Sequence, residues 1–228
     1  MIKNILFDLD DTLFDFHKAE KIAIEKTLKI AGVVPSKDLL SKYSCINLSQ
    51  WKLLELGKLT RSEVKLRRFR LFFEENGIDF PAEKAAATYE QLLGIGHYFI
   101  DGAENIIQKL YGRYRLYIVS NGTLSVQTSR IKSSGIAKYF DNIFISEEIG
   151  YNKPDREFFD ACFGQIKDFK HDETIIVGDS LSSDIKGGIN CGITTVWFNP
   201  NHALNNTDIK PGHEIDKLDN LLSLLEKL

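Results

Sequence analysis

The sequence has few cysteines and no long hydrophobic run. Its three cysteines, Cys45, Cys162 and Cys191, are scattered along the chain, and no C-x-x-C pair occurs. Neither a disulfide framework nor a thiolate zinc site is indicated, and reduced thiols are typical of the cytoplasm. The first apolar run, residues 5–7, meets acidic residues at once, and no stretch is long enough to cross a bilayer. We therefore expect a cytoplasmic protein that does not bind a membrane.

An excess of positive charge is also missing. The net charge is -3 at pH 7 and the pI is near 6, so a nucleic-acid polymer is not expected as a partner. The hydrophobic fraction of 43% and the charged fraction of 27% are ordinary for a globular protein. A chain of 228 residues suits one large domain, or a core domain with a smaller insert, and leaves the oligomeric state open.

Five short apolar runs end at polar residues or glycine, which is typical of buried strands. Helical patterns lie between them, and alternating strands and helices form a parallel sheet with helices on both faces. We therefore predict an α/β fold. The five predicted strands are residues 4–7, 116–119, 142–145, 174–177 and 194–198.

One long stretch interrupts this alternation. From Phe16 to Tyr98 the sequence has no convincing strand, and several helical segments are separated by glycines and prolines. An all-helical insert of this size after the first strand predicts a separate cap. We therefore expect a catalytic core formed by residues 1–15 and 99–228, and an α-helical cap formed by residues 16–98.

Three of the predicted strands end at side chains that can do chemistry. Asp8 follows the first strand, Ser120 and Asn121 follow the second, and Asp179 follows the fourth. Ligands of parallel sheets bind at the carboxyl ends of the strands. Singly, each of these residues could be an ordinary helix cap or turn residue. Together they predict one crevice.

The residue types in that crevice favour phosphoryl transfer. Asp8 and Asp10 lie two residues apart, on one side of an extended chain, and could share a cation or divide attack and proton transfer between them. Oxygen ligands without a histidine or cysteine cluster favour Mg²⁺, which Asp179 would help to bind. Lys153 precedes a predicted helix start, where a phosphate binds well, and Ser120 offers a hydroxyl. Phosphoryl transfer needs this charge neutralisation and positioning.

Four motifs resemble those of the haloacid dehalogenase-like (HAD) hydrolases, in the same order. They are DLDDTL at residues 8–13, YIVSN at 117–121, YNKPD at 151–155 and VGDSLSSD at 177–184. The resemblance implies a Rossmann-like core and an aspartyl-phosphate mechanism. It also implies an α-helical cap that closes over the substrate.

The resemblance also assigns roles to individual residues. Asp8 would be the nucleophile and Asp10 the general acid and base. The second aspartate is absent from the dehalogenases themselves, so its presence favours phosphate esters. The phosphoryl group would be held by Ser120, Asn121 and Lys153. Mg²⁺ would be bound by the Asp8 and Asp179 carboxylates and the Asp10 backbone carbonyl, with Asp184 as support. Asp11 is expected to support the turn.

A more extensive resemblance covers the cap as well. Residues 8–16, 145–160 and 178–199 are similar to a bacterial pyrimidine 5'-nucleotidase subgroup, and so is the cap pattern formed by Trp51, Gly57, Thr60, Arg68 and Phe69. This implies a nucleoside monophosphate as substrate. Candidate substrate contacts are Phe14, Phe16, Trp51 and Arg68.

Two alternatives stay open from the residues alone. The first is a phosphosugar phosphatase or a phosphoglucomutase-type enzyme, because the core motifs do not select the substrate. The second is a receiver-like signalling domain, in which an aspartate is phosphorylated near Mg²⁺ and a lysine. A receiver needs no large cap and is about half this length.

Overall fold

A computed structural model describes residues 1–228, and its centre is a sheet of six parallel strands in the order β3-β2-β1-β4-β5-β6. The five predicted strands are confirmed. The sixth was missed because it has only three residues, one of them Glu214. The strands are β1 (Asn4–Phe7), β2 (Arg115–Ser120), β3 (Asn142–Ile145), β4 (Thr174–Gly178), β5 (Thr194–Phe198) and β6 (His213–Ile215).

Ten α-helices accompany the sheet. None of them combines the length and the apolar composition that a membrane span requires. A π-helical turn, Leu181–Ile185, directly precedes α9. The helices are α1 (Phe16–Ile30), α2 (Lys37–Glu55), α3 (Arg61–Asn76), α4 (Ala82–Leu93), α5 (Ala103–Leu110), α6 (Leu124–Ser134), α7 (Ser146–Ile149), α8 (Arg156–Phe163), α9 (Lys186–Asn190) and α10 (Asn220–Leu225).

Helices cover both faces of the sheet, as predicted. Successive side chains of a strand point to opposite faces. Ile5 and Phe7 of β1 therefore share one hydrophobic cluster with residues of α5 and α10. Leu6 between them belongs to a second cluster, which contains Phe158 and Phe159 of α8. A buried strand thus contributes side chains to two hydrophobic cores, one on each face of the sheet.

The four helices between β1 and α5 pack around a third hydrophobic cluster. Its centre is aromatic: the Tyr43, Phe69 and Tyr89 rings have centroids 5.2 to 5.6 Å apart. Helix α2 is continuous, because neither glycine nor proline interrupts residues 37–55. A hydrophobic cluster of its own is what a cap domain requires. The exact division, with residues 1–15 and 99–228 as the core and residues 16–98 as the cap, stays a prediction.

The register of the sheet brings the predicted chemistry to one place. Phe7, the last residue of β1, pairs with Ile118 of β2 on one side and with Val177 of β4 on the other. The carboxyl ends of these three strands are therefore adjacent. Ser120 at the end of β2, Asp8 directly after β1 and Asp179 directly after β4 therefore meet at the middle of one sheet edge.

Candidate active site

Asp8 lies directly beyond β1, and Lys153 binds its side chain. The backbone N–H of Asp8 donates to the Val177 carbonyl at 2.9 Å, which holds it at the end of β4. Lys153 Nζ donates to Asp8 Oδ1 and to Asp184 Oδ1, both at 2.6 Å, and to the Val119 carbonyl at 2.8 Å. The lysine is only 1% exposed. One buried ammonium group therefore links three separate segments around the predicted nucleophile.

The site holds more negative charge than one lysine compensates. Burial is the main cause that raises the pKa of Asp8 to about 8; Lys153 opposes it, and the charges of Asp184 and Asp10 reinforce it. Burial by itself lowers the pKa of Lys153, but Asp184 and Asp8 outweigh it and raise that pKa above its ordinary value. Burial and the charge of Asp8 raise the pKa of Asp179 well above its usual range. A divalent cation would restore the balance.

Three carboxylates form a cluster of the size that a metal ion needs. Oxygens of Asp8, Asp179 and Asp184 all lie within 4.8 Å of one another. Both oxygens of Asp184 already accept hydrogen bonds, one from Lys153 Nζ at 2.6 Å and one from the Ser180 N–H at 3.1 Å. Asp184 is thus suited to support the site, and Asp8 and Asp179 are better placed to bind the metal.

The remaining donors also suit Mg²⁺. Asp179 Oδ1 accepts one weak hydrogen bond, from Thr12 Oγ1 at 3.4 Å. The backbone carbonyl of Asp10 accepts no hydrogen bond from the chain and is free for a ligand. Carboxylate and carbonyl oxygens without nitrogen or sulfur form the donor set that Mg²⁺ prefers. The residues present therefore fit this ion.

Ser120 and Asn121, which are predicted to bind phosphate, have different hydrogen-bond partners. Ser120 Oγ accepts hydrogen bonds from the Gly122 N–H at 3.1 Å and from Gln127 Nε2 at 2.9 Å, which leaves its hydroxyl hydrogen free to donate. The Asn121 side chain instead exchanges two hydrogen bonds with the Lys153 backbone, at 2.8 and 2.9 Å. The Asn121 side chain therefore positions the backbone at Lys153, and its backbone N–H stays available for a phosphate.

Asp10 has two partners on α6 that the sequence analysis missed. Arg130 Nη1 donates to Asp10 Oδ1 at 2.5 Å, and Gln127 Nε2 donates to Asp10 Oδ2 at 2.6 Å. Gln127 and Arg130 are three residues apart and share one helix face. Their spacing behind Ser120 is a weak signal, because polar residues three apart occur on most solvated helices.

Asp11 supports the turn, as expected. Its φ of 57° lies in the left-handed region, and its Oδ1 accepts the N–H groups of Phe16 at 3.0 Å and His17 at 3.3 Å. Burial raises its pKa to about 6, against the charge of His17. The turn therefore connects β1 to α1, and the Asp11 carboxylate binds the first two N–H groups of that helix.

A cleft of about 260 Å³ opens above these groups, and its walls include residues of the cap. Phe16, Trp51 and Arg68 line it, as expected for substrate contacts. Phe14 does not: it is fully buried in the core against Phe99, with ring centroids 5.2 Å apart. We withdraw Phe14 as a substrate contact, because the turn after Asp10 directs its ring below the cleft.

A buried polar network forms the cap side of the cleft. Glu20 accepts hydrogen bonds from Asn47 Nδ2 at 2.7 Å and from Ser44 Oγ at 2.6 Å. Asn47 Oδ1 accepts from Arg68 Nη1 at 3.0 Å and from Trp51 Nε1 at 3.1 Å. Sequence reasoning missed Glu20, Ser44 and Asn47, which come from two helices and meet only in the folded cap.

A larger depression of about 660 Å³ lies at the opposite edge of the sheet. Lys3, Arg115 and Glu173 are among its lining residues, and the Lys3–Glu173 ion pair at 2.9 Å occupies part of its rim. None of the motif residues reaches it. The smaller cleft at the carboxyl edge is therefore the candidate active site.

Comparison with known proteins identifies the family. The family model described as haloacid dehalogenase-like hydrolase matches residues 5–198. The chain belongs to this family. This HAD-like hydrolase is 38% identical over 223 residues to the HAD-hydrolase YfnB of Bacillus subtilis, covering 98% of this chain and 95% of that one. The receiver-like alternative is set aside.

Two relatives of this HAD-like hydrolase are pyrimidine 5'-nucleotidases. PynA of Streptococcus pneumoniae is 38% identical, covering 99% of this chain and 95% of its own. YjjG of Escherichia coli is 29% identical, covering 98% and 97%. A crystal structure of YfnB bound to magnesium superimposes with a TM-score of 0.94 and covers 98% of both chains. The chain is thus a hydrolase of the phosphatase type with a Rossmann-like core.

Proposed function

We propose that this chain is a Mg²⁺-dependent phosphomonoesterase, most specifically a 5'-nucleotidase that hydrolyses (deoxy)nucleoside monophosphates. The observation that carries the proposal is the pair Asp8 and Asp10 at the end of the central strand, with Lys153 2.6 Å from Asp8. The names of PynA and YjjG support the nucleotide substrate. A cytoplasmic location stays a prediction.

In the first step, Asp8 attacks the phosphorus atom of the ester. A bond forms between Asp8 Oδ and phosphorus, and the bond between phosphorus and the ester oxygen breaks. The electron pair of the broken bond passes to the ester oxygen, which takes a proton from Asp10 and leaves as an alcohol. The Ser120 hydroxyl binds a phosphoryl oxygen during transfer, and the positive charge of Lys153, which lies beside Asp8 Oδ1, offsets the negative charge of the phosphoryl group.

In the second step, water releases the phosphate. Asp10, now ionised, takes a proton from a water molecule whose oxygen attacks phosphorus, and the bond to Asp8 breaks. The products are inorganic phosphate and the free Asp8 carboxylate. Asp8, Asp179 and the Asp10 carbonyl would hold Mg²⁺, which would supply positive charge that lowers repulsion between the anionic ester and the carboxylates.

The cap side of the cleft favours a nucleotide over a plain sugar phosphate. Phe16 and Trp51 offer flat apolar surfaces on which a base can stack. Arg68 is 2% exposed, and its Nε is buried without a hydrogen-bond partner. Arg68 Nη1 is held by Asn47 Oδ1, and the substrate can meet only the part of the Arg68 side chain that lines the cleft. A hexose can place only its C–H groups on these rings and lacks the flat aromatic surface of a base.

The Asp8→Asn variant tests the mechanism. An amide cannot form the covalent intermediate, so hydrolysis of p-nitrophenyl phosphate with Mg²⁺ should fall by at least roughly 10³-fold. The measurement is the release of p-nitrophenol by purified wild-type and variant protein. Asp11→Asn is the matched control, because Asp11 is an aspartate of the same turn and its carboxylate binds the N–H groups of Phe16 and His17. Unchanged hydrolysis by Asp8→Asn would contradict the mechanism.

A substrate panel tests the nucleotide claim separately. Values of kcat/KM for dUMP and dTMP should exceed those for hexose phosphates by more than about tenfold, because only the nucleotides bring a base to Phe16, Trp51 and Arg68. A clear preference for hexose phosphates would favour the phosphosugar alternative. Conversion of one hexose phosphate isomer into another would identify a phosphoglucomutase-type enzyme.

A further inference from the structure

The carboxylate of Asp10 is held from one side by a single helix. Arg130 Nη1 binds Oδ1 at 2.5 Å and Gln127 Nε2 binds Oδ2 at 2.6 Å, so each oxygen has one donor from α6. Arg130 is fully buried, whereas 27% of the Asp10 side chain is exposed. Each carboxylate oxygen can accept a second hydrogen bond. The exposed side of Asp10 is therefore left to face the cleft.

The two donors are themselves fixed. Arg130 Nε donates to the Gly96 carbonyl at 2.6 Å, and Arg130 Nη1 also donates to Gln127 Oε1 at 2.9 Å. The guanidinium lies 5.2 Å from the centre of the Phe14 ring. Phe14, withdrawn above as a substrate contact, thus supports the arginine. Arg130 cannot turn without breaking several contacts at once.

The loop after β2 leaves room for Gln127. A Cβ atom on Gly122 would lie 2.3 Å from Gln127 Nε2, so only glycine permits this side chain to pass. Gln127 Nε2 also donates to Ser120 Oγ at 2.9 Å. The Gln127 amide group therefore contacts both Asp10, the predicted acid, and the predicted phosphate-binding hydroxyl of Ser120. It fixes the position of one relative to the other.

We propose that Arg130, together with Gln127, is a positioning residue that orients the Asp10 carboxyl group for proton transfer to the leaving alcohol. The inference rests on the proposed function, because it takes Asp10 as the general acid and base. Gly96 lies between α4 of the cap and the point where the chain returns to the core. Arg130 therefore ties the acid to this cap connection as well as to α6.

The leaving group separates positioning of the acid from a general loss of structure. An alkoxide leaves only if it receives a proton, whereas p-nitrophenolate is a stable anion and leaves without one. The value of kcat/KM covers the steps up to release of the first product and excludes hydrolysis of the intermediate. A defect in positioning Asp10 should therefore lower kcat/KM for alkyl phosphates much more than for p-nitrophenyl phosphate.

The test compares Arg130→Met and Gln127→Leu with the wild type. The substrates are p-nitrophenyl phosphate and whichever alkyl monophosphate the panel ranks first. General acid catalysis contributes roughly 10²- to 10⁴-fold, so Arg130→Met should lose about 10²-fold on the alkyl ester and less than about tenfold on the aryl ester. Gln127→Leu should show the same imbalance at a smaller size. If Arg130→Met does not fold, Arg130→Lys, which keeps the charge but not the planar fork, takes its place.

Ile131→Ala is the structural control. Ile131 is the next residue on α6 and is buried in the core, and its apolar side chain forms no hydrogen bond to Asp10 or Gln127. Its removal should lower stability and leave the ratio of the two kcat/KM values unchanged. Equal losses on both substrates in Arg130→Met and Gln127→Leu would overturn the inference. Because Asp8→Asn tests the mechanism independently, that result would leave the proposed function standing.

Discussion

Lys153 is almost completely buried, and its ammonium group has three acceptors and no water-exposed side. Two of the acceptors are the carboxylates of Asp8 and Asp184, each 2.6 Å from Nζ. A buried pair of this kind contributes little net stability compared with apolar residues, but removal of one partner leaves the other charge unpaired. The positive charge of Lys153 thus lowers the repulsion between the buried carboxylates before any metal or phosphate binds.

Replacement of Lys153 by methionine should therefore destabilise the fold strongly. Breaking a buried ion pair costs about 3–5 kcal/mol, and here two carboxylates lose their partner. Urea denaturation of the metal-free protein measures the change in the free energy of unfolding. Lys170→Met is the control, since Lys170 forms an exposed ion pair with Glu173, and its loss should be much smaller. Similar losses in the free energy of unfolding of the two variants would show that Lys153 does not stabilise the buried carboxylates.

At the scale of elements, α3 connects the cap to the loops of the site. It begins with a capping box, in which the Thr60 N–H donates to Glu63 Oε2 at 2.7 Å and Thr60 Oγ1 accepts from the Glu63 N–H at 3.3 Å. Arg61, the first helical residue, then reaches the Asn121 carbonyl at 3.0 Å and Asn152 Oδ1 at 2.8 Å. The start of α3 thus binds the loop after β2, which contains Asn121, and the loop before α8, which contains Asn152.

Helix α9 packs unusually close to the sheet. A Cβ atom on Gly188 would lie 2.6 Å from Thr195 Cγ2 and 2.7 Å from Ile176 Cγ2. Both neighbours are β-branched strand residues, which cannot rotate away easily. Since α9 directly follows the π-helical turn that carries Asp184, this close approach helps to set the position of that carboxylate.

The Gly188→Ala substitution should consequently destabilise the protein, against the usual helical trend. Alanine in place of glycine normally gains up to about 1 kcal/mol in a helix, but an extra methyl in a packed core costs about 1–3 kcal/mol. Gly164→Ala serves as the comparison, because a Cβ there would meet only ordinary contacts at 3.5 Å or more. Urea denaturation should give a loss for the first and no loss for the second. A gain in both variants would contradict the close packing.

At the scale of the whole molecule, the carboxylates of Asp8, Asp179 and Asp184 exceed the positive charge beside them. The stability of the fold should therefore depend on Mg²⁺ binding. A ligand that binds only the folded state stabilises it by about 2.7 kcal/mol at a hundred times its Kd. We expect Mg²⁺ to raise the melting temperature of the wild type relative to protein in EDTA. In Asp179→Asn the rise should be lost, while the metal-free variant should be at least as stable as the wild type because one crowded charge is gone.

Calorimetric scans with and without Mg²⁺ measure this linkage. Asp141→Asn is the matched control, because Asp141 is exposed and remote from the cleft, and its response to Mg²⁺ should equal that of the wild type. An undiminished rise in Asp179→Asn would place the ion elsewhere. Together with the kinetics of Asp8→Asn, the scans distinguish a metal that binds the proposed site from one that binds the surface.

Much of the fold was predictable because the signals are local. The five predicted strands are short apolar runs that end at Asp8, Ser120, Asp179 and similar residues, and a run and its end are adjacent in the sequence. The helical cap was predictable because a long stretch has helical periodicity and no strand. The unpredicted β6 is three residues long and gains its place only by pairing with β5.

The amino-acid sequence alone was enough for the family, for five of the six strands and for the motif residues that meet at the carboxyl edge of the sheet. Contacts between distant positions needed the folded chain. Arg130 is 120 residues from Asp10, and their pairing depends on which face of α6 packs against the turn. The same turn sends Phe14 into the core and Phe16 to the cleft, although both are aromatic residues beside the first motif. Sequence records which residues are neighbours along the chain, and packing decides which of them share a site.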